Sequence, residues 1–404
     1  MKLLFFSMWY TPEPVGKPHS LARELTRLGH SVTVITGFPN YPQGEIYPNY
    51  HSAKLIAFEY EDGVRIIRIR TLIDRSSNAF RRMGAMLSYS ITAIIVSLIL
   101  SDRYDVVWSY QIGLPGMLYS VFTGKPHLHE VQDLWPAWGE GSLRGFNGIL
   151  TRLLVASQRF IYIQARKLST ISSGFALAVS SIYGISLSKI IILPNWAESD
   201  IYSRDSQIWH SRTEFGLPEG FIVTYGGNVG TAQGLIALVD AAACLKDISD
   251  LTVVIAGEGV EKLRLVEHAK DINSCNVVFL PKLPPGTMGA LLSISDLLYL
   301  GLSKETKYKM TIPSKTYAYL SSGKPILAAV AGDTAELVTK YGVGVVIPPE
   351  DVAAIASAIK KAVLGNRSDL KKMGDQAYYI SKTEYSGPLI AKCYENTFLS
   401  LKHI

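Results

Sequence analysis

Cysteine is scarce in this chain: three among 404 residues, at positions 244, 275 and 393. They are too few and too widely spaced for a disulfide framework or a thiolate zinc site, which points to a reducing compartment. Charge is sparse too, with Asp, Glu, Lys and Arg at 18% against an apolar share of 48%. That balance excludes disorder and leaves ample material for large cores. No short internal repeat, low-complexity tract or nucleic-acid motif is found. A net charge of +6 is also small for a nucleic-acid binder, so no such partner is expected. The opening "MKLLFFSMWYTPEPVG" has a short apolar run and no small-residue cleavage site. It reads as a buried strand entering a Pro/Gly loop rather than as a signal peptide, and a cytoplasmic protein is expected.

What charge there is lies unevenly. Residues 1–200 hold 19 Lys and Arg against 14 Asp and Glu, and the remainder holds 21 against 20. An excess confined to one half suggests an anionic surface or substrate met by that half. The same half contains "NAFRRMGAMLSYSITAIIVSLILSDR", residues 78–103, with 17 uncharged residues from Gly84 to Leu100 behind Arg81 and Arg82. A bilayer span needs about 20 such residues. Three readings stay open: a helix buried against a sheet, an interfacial helix on anionic lipid, or a span. The paired arginines favour contact with an anionic membrane surface.

The length suits two domains, and the chain alternates strand, loop and helix in the manner of doubly wound α/β folds. "KLLFFSMW", "SVTVITG", "VRIIRIR", "YDVVWSY", "KPHLHEV", "KLSTISS" and "IIILPNW" are strands of a first Rossmann-like domain over 1–197. "FIVTYGGNVG", "LTVVIAGEG", "NVVFLPKL", "DLLYLGL", "PILAAV" and "GVGVVIPP" build a second over 198–385, entered through the polar, linker-like stretch 198–211. A last helix, about 386–404, packs locally or crosses back onto the first domain. Tandem domains of this class place a cleft between the carboxyl ends of their sheets, where ligands bind.

The loops after those strands therefore carry the candidates. Gly16 and Lys17 lie in "TPEPVGKPHS" ahead of a helix, where a close backbone approach and a helix N-terminus favour an anion. Gly227 and Asn228 stand in "YGGNVGTAQGL", whose spacing is not a dinucleotide fingerprint but suits amides around a phosphate. Gly257 and Glu258 follow "VVIA" in the same manner. In "KMTIPSKTYAYLSSGKPILAAV" Pro313 opens a helix, with Thr311 or Ser314 expected to cap it. Lys309 and Lys315 flank that N-terminus, a seat for an anion. His127 and His129 share a strand face, as a metal pair would, but lack a local third ligand, and no metal site is expected. Asp133, in the turn before Trp135-Pro136, either meets substrate or acts as a base, or else organises its loop as an Asx turn.

Taken in order, "GFPNYPQGEIYPNY", "DLWP", "YGGNVGTAQGL", "AGEGVEKLRL", "LPKLPPGTMGALLSISDLLYLGL" and "IPSKTYAYLSSGKPILAAV" resemble a bacterial branch of glycosyltransferase family 4. That branch includes N-acetylfucosamine-type and other amino-sugar transferases of O-antigen and capsule synthesis, and the similarity runs over nearly the whole chain. It implies a GT-B fold, two Rossmann-like domains facing each other across a deep cleft. It further implies a UDP-sugar donor held mainly by the second domain, no metal or other cofactor, and retention of configuration. The acceptor it implies is lipid-linked, a polyprenyl diphosphate saccharide, met at the inner face of the plasma membrane. By the same resemblance Gly16 touches the donor diphosphate and Asp133 meets the donor sugar. Asn228 and Gln233 occupy places where many relatives have Arg and Lys, which shifts the demand for positive charge to Lys315, Lys309 and Lys17. Lys282 and Leu283 bracket the nucleobase, and Ser314 and Lys315 reach the diphosphate.

Two positions depart from the wider family pattern of paired glutamates: Met310 and Ala318 stand where they would be. The second glutamate accepts hydrogen bonds from the donor ribose, and Ala318 cannot. Loss of such a bond costs roughly 1.5–3 kcal/mol, about 10- to 150-fold in affinity. Two rival readings follow. One is a UDP-sugar 2-epimerase of the same architecture, which needs no lipid acceptor. The other is a non-catalytic scaffold, for which Ala318 is the argument.

Overall fold

A computed structural model describes residues 1–51, 55–74, 78–100, 103–134, 148–197, 199–205 and 212–403. The chain forms two compact units, Met1–Pro194 with Gly387–Ile404, and Asn195–Ser386. In the first, β1 (Lys2–Ser7), β2 (Ser31–Gly37), β3 (Ile56–Glu61), β4 (Val64–Ile69), β5 (Val106–Tyr110), β6 (His127–Glu130), β7 (Lys167–Thr170) and β8 (Ile190–Ile192) make one sheet. Its order is β3-β4-β2-β1-β5-β6-β7-β8. Every pairing is parallel except β3 with β4. Central strands covered on both faces have no polar side to show, which is why "LLFFS" and "VVWSY" are unbroken buried runs.

The edge strand β3 was not among the strands expected from sequence. It alternates, with Phe58 and Tyr60 turned outward, and never forms a buried run. Its signal was the turn instead. Asp62 and Gly63 both have positive φ, 50° and 77°, the Asp-Gly hairpin geometry that matches strand twist.

Helices α1 (Gly16–Arg27), α2 (Ala79–Ile99), α3 (Leu114–Thr123), α4 (Gly148–Gln164) and α5 (Ser173–Tyr183) complete this unit's crossovers. Asn78 caps α2, its side-chain oxygen accepting from the amides of Phe80 and Arg81. Ala85, Tyr89, Ala93 and Val96 bury one face of α2, where the Tyr89 hydroxyl donates to the Ile35 carbonyl at 2.9 Å. Leu87, Ile91 and Ile95 are about half exposed on the other face. By length and composition α2 could cross a membrane, yet it packs one side onto the sheet.

The second unit is an all-parallel sheet of β9 (Phe221–Gly226), β10 (Leu251–Ala256), β11 (Val277–Leu280), β12 (Leu297–Gly301), β13 (Ile326–Ala329) and β14 (Gly344–Ile347). Its order, β11-β10-β9-β12-β13-β14, is that of a dinucleotide-binding domain. Around it lie α6 (Ser199–Tyr202), α7 (Ile236–Ala243), α8 (Lys262–Asp271), α9 (Pro285–Ile294), α10 (Ser314–Ser322), α11 (Asp333–Tyr341), α12 (Val352–Leu364) and α13 (Arg367–Thr383). The stretch 198–211 is not a free linker over its described part. The Arg204 amide donates to the Ser321 carbonyl at 3.0 Å, and its guanidinium pairs with Asp375. The final helix, α14 (Gly387–Lys402), packs on the first unit. There Tyr394 and Phe398 meet Trp108 and Phe5.

Candidate active site

In an open parallel sheet the strand order reverses at one point, and loops leaving the carboxyl ends on either side splay apart to make room for a ligand. In the second unit that point lies between β9 and β12. The loop after β9 holds Gly226, Gly227 and Asn228; the segment after β12 leads through Thr306–Met310 into α10.

Helix α10 grips the β9 loop twice from one face. The Gly226 amide donates to the Tyr319 hydroxyl at 3.0 Å. One turn earlier, the Lys315 ammonium donates to the Tyr225 hydroxyl and lies over that ring, 3.8 Å from its centroid. The Tyr225 hydroxyl in turn donates to the Asn228 carbonyl. A Cβ placed on Gly227 would come within 3.0 Å of the lysine nitrogen, so the ammonium rests against the bare backbone of the glycine loop. Burial lowers the Lys315 pKa to about 7. Among the described residues it has no carboxylate partner.

The N-terminus of α10 also differs from the sequence reading in one detail. Pro313 is the capping residue and no side chain caps the helix; the Thr311 hydroxyl turns back to the Tyr308 carbonyl at 3.2 Å. Ser314 is exposed as the first helical residue. A cation, a glycine loop and an uncapped helix start thus meet at one place. Such a place can neutralise a phosphate.

The loop after β10 braces this arrangement. Gly257, at φ +154°, runs so close to the β9 loop that a Cβ would lie 1.8 Å from the Gly227 carbonyl oxygen. The Val229 amide donates to the Glu258 carbonyl at 2.8 Å. Lys262 joins the loops after β10 and β11, donating to Gly257 at 2.8 Å, Leu280 at 3.0 Å and the Glu258 carboxylate at 2.6 Å. Gln233 is spent locally, its oxygen accepting from the Gly230 amide at 3.0 Å, whereas Asn228 is exposed. Lys282 is exposed beyond β11, and Leu283 is half-buried on the cluster of Val254 and Ala256. Ala318 is half-buried on α10, and Lys309 is exposed on the single turn before it.

In the first unit Gly16 is the first residue of α1. Lys17 does not offer a spare charge, correcting the sequence reading. Its ammonium is buried against Glu130 at 2.6 Å. Glu130, wholly buried, also accepts from Gln132 at 2.7 Å, Ser169 at 2.8 Å and the Tyr394 hydroxyl of α14. Burial alone would raise this carboxyl, but Lys17 and the hydroxyl donors outweigh it and hold the pKa below the ordinary value. Asp133, three residues on, is accessible and accepts from Gln111 at 3.2 Å. Surrounding protein pushes its pKa upward.

His127 and His129 do share a face, but they share it with Ser109, whose hydroxyl lies 2.6 Å from one ring and 2.8 Å from the other. Burial holds both rings neutral, His129 down to about 4. Among the described residues no group of three metal-ligating side chains occurs. Sequence reasoning missed Tyr225, Tyr319 and Glu130, each of which works through a partner tens to hundreds of residues away. It missed Glu13 too. That buried carboxylate ties the loops after β1 and β2 together through the amides of Tyr10, Asn40 and Tyr41 at 3.0, 2.9 and 2.8 Å.

Residues 18–196 match the Glycosyl transferase 4-like domain, and residues 207–379 match the Glycosyl transferases group 1 domain. WcaI of Escherichia coli (strain K12), named as a glycosyl transferase of colanic acid biosynthesis, is 28% identical over 385 residues, covering 90% of this chain and 92% of its own. Anabaena HepE, solved in complex with UDP and glucose, superposes with a TM-score of 0.70 at 14% identity over 99% of this chain and 100% of its own. WaaG, a glycosyltransferase involved in lipopolysaccharide biosynthesis, does so at 0.65 and 16% over 96% and 98%. The fold is GT-B. With both domain types present in order, the chain is a glycosyltransferase.

Proposed function

We propose that this enzyme is a retaining transferase that moves a sugar from a UDP-sugar to a lipid-linked saccharide, a polyprenyl diphosphate acceptor, in bacterial surface polysaccharide synthesis. The observation that carries the reading is the meeting of Lys315 with the Gly227 loop at an uncapped helix start. There the donor diphosphate takes its charge compensation from Lys315 and from the Ser314 amide at the helix start. Lys315 replaces the cations that Asn228 and Gln233 do not supply. Negative charge grows on the diphosphate as the glycosidic bond breaks, so the same groups stabilise the transition state. Gly16 serves the diphosphate, Asp133 the donor sugar, and Lys282 and Leu283 the nucleobase. The structures of HepE with UDP and glucose, and of an E. coli trehalose-6-phosphate protein with UDP-2-fluoro glucose, support a uridine donor. An N-acetylated amino sugar is the first donor to try, after the branch the sequence resembles. Since protein groups carry the compensation, transfer should survive EDTA. Calorimetric titration of UDP, GDP and ADP tests the donor class, UDP binding tightest.

The lipid acceptor places the enzyme at the cytoplasmic face of the membrane, with α2 as the contact. Its half-exposed Leu87, Ile91 and Ile95 form the apolar stripe, and Arg81 and Arg82 begin it. Indifference to anionic vesicles would sink this part of the reading.

A further inference from the structure

At the far end of α2, opposite Arg81 and Arg82, lies a second pair of cations. A recess of ≈ 190 Å³ opens there, lined by Arg103 and Lys125 together with Leu98, Tyr119 and Thr123. A single water needs only about 10–15 Å³ by the same measure, so the space admits a phosphate group. Arg103 precedes β5 and Lys125 precedes β6, so the recess is at the amino ends of the strands. Gly16 and Asp133 leave from their carboxyl ends.

Neither cation is neutralised among the described residues. Asp105, two residues from Arg103, is already bound to Lys402 at 3.0 Å and to the Lys2 amide at 2.8 Å; Asp102 lies outside the described residues. The Thr123 hydroxyl donates to the Tyr119 carbonyl at 2.7 Å, and the nearby Ser97 hydroxyl to Ile94 at 2.8 Å. Tyr104 and Tyr119 also line the recess, and its charged groups for an anion are the two cations. Leu98 of the lining and the exposed residues next to the lining in sequence select the kind of anion. Leu98 and Ile99 of α2 are 42% and 72% exposed, and Val121 and Phe122 of α3 are 61% and 66% exposed. A soluble phosphate has no use for four outward apolar side chains; a lipid headgroup with its acyl boundary does.

We propose that Arg103 and Lys125 bind the headgroup phosphate of an anionic lipid while Leu98, Ile99, Val121 and Phe122 enter the acyl boundary. Helix α2, about 30 Å long at 1.5 Å per residue, then lies flat on the bilayer with cations at both ends. This rests on the membrane reading above and adds a specific site to it.

The test is co-sedimentation of the full chain with vesicles of phosphatidylcholine alone and of phosphatidylcholine with phosphatidylglycerol. Preference for the anionic vesicles should fall about 30-fold in Arg103→Gln/Lys125→Gln, equivalent to ~1 kcal/mol per cation. The same charge change at Lys371 and Lys372 should leave it nearly intact, and Arg103→Lys/Lys125→Arg should restore it. Val121→Ser/Phe122→Ser should weaken binding to both vesicle types. Thermal midpoints establish that each variant is folded. If the wild type binds anionic vesicles and Arg103→Gln/Lys125→Gln binds them equally, this site falls and the membrane reading stands. If the wild type binds neither vesicle, both fall. If inorganic phosphate binds the wild type, not Arg103→Gln/Lys125→Gln, and vesicles make no difference, the recess is a soluble-anion site and the lipid assignment is overturned.

Discussion

At the residue scale the phosphate seat turns on Lys315, whose pKa burial presses to about 7. A diphosphate beside it favours the charged form and raises that value again. The sign follows: binding at or above neutral pH takes up a proton, so UDP affinity should fall as pH rises from 7 to 9. The slope approaches about tenfold per pH unit until the pKa of the complex is reached. Calorimetry in buffers of different ionisation enthalpy reads the uptake directly, and Lys315→Arg should abolish it. Tyr225 holds both the lysine and the Asn228 carbonyl. Tyr225→Phe should weaken UDP binding about 2- to 12-fold, the worth of one ordinary hydrogen bond. Ala318→Glu should tighten it about 10- to 150-fold if a carboxylate there meets the ribose. Gain in turnover would speak against the scaffold reading. The candidate lysine was legible because a cation at a Pro-Ser helix start is a local pattern. Tyr225 was not: its partner is 90 residues away, and nothing local distinguishes it from a core tyrosine.

At the scale of elements, strands showed most plainly where both faces are covered, and β3, an open alternating edge, was lost. Hence β1, β5, β9, β10, β12 and β13 were legible as buried apolar runs; β11 and β14, half-buried, were legible from their apolar composition alone, and β3 was not. Loops were legible by their glycines but not by what those glycines touch. Gly257 shows the difference. Its glycine was visible as a strand-end residue, but the reason for it is the Gly227 carbonyl, 1.8 Å from where a Cβ would be. Gly257→Ala would combine that clash with a backbone angle unsuited to other residues. It should cost about 2 kcal/mol or more of stability and loosen the phosphate loop. Urea unfolding measures the first effect and UDP titration the second; unchanged values for both would contradict the braced-loop account.

At the scale of the molecule, the sequence left two places for the last helix, and burial decides between them. Tyr394 and Phe398 complete an aromatic core with Trp108 and Phe5, and Tyr394 reaches Glu130. Glu130→Gln would leave Lys17 buried without its counterion and should cost about 3–5 kcal/mol. Because the Glu130 pKa is held below its ordinary value, the pair's contribution is present above the unfolded carboxylate pKa and lost as pH falls through the folded one. Thermal midpoints against pH should therefore show a shallower acid limb in Glu130→Gln. The central claim is the phosphate seat built by Lys315 on the Gly227 loop. Its most direct test is calorimetric titration of UDP into the wild type and Lys315→Ala at neutral pH. UDP should bind the wild type more tightly than GDP or ADP do, and the substitution should weaken UDP by about 10- to 100-fold, as expected for a charge-assisted contact. Equal UDP affinity in the two proteins, or no nucleotide binding to either, would contradict that claim.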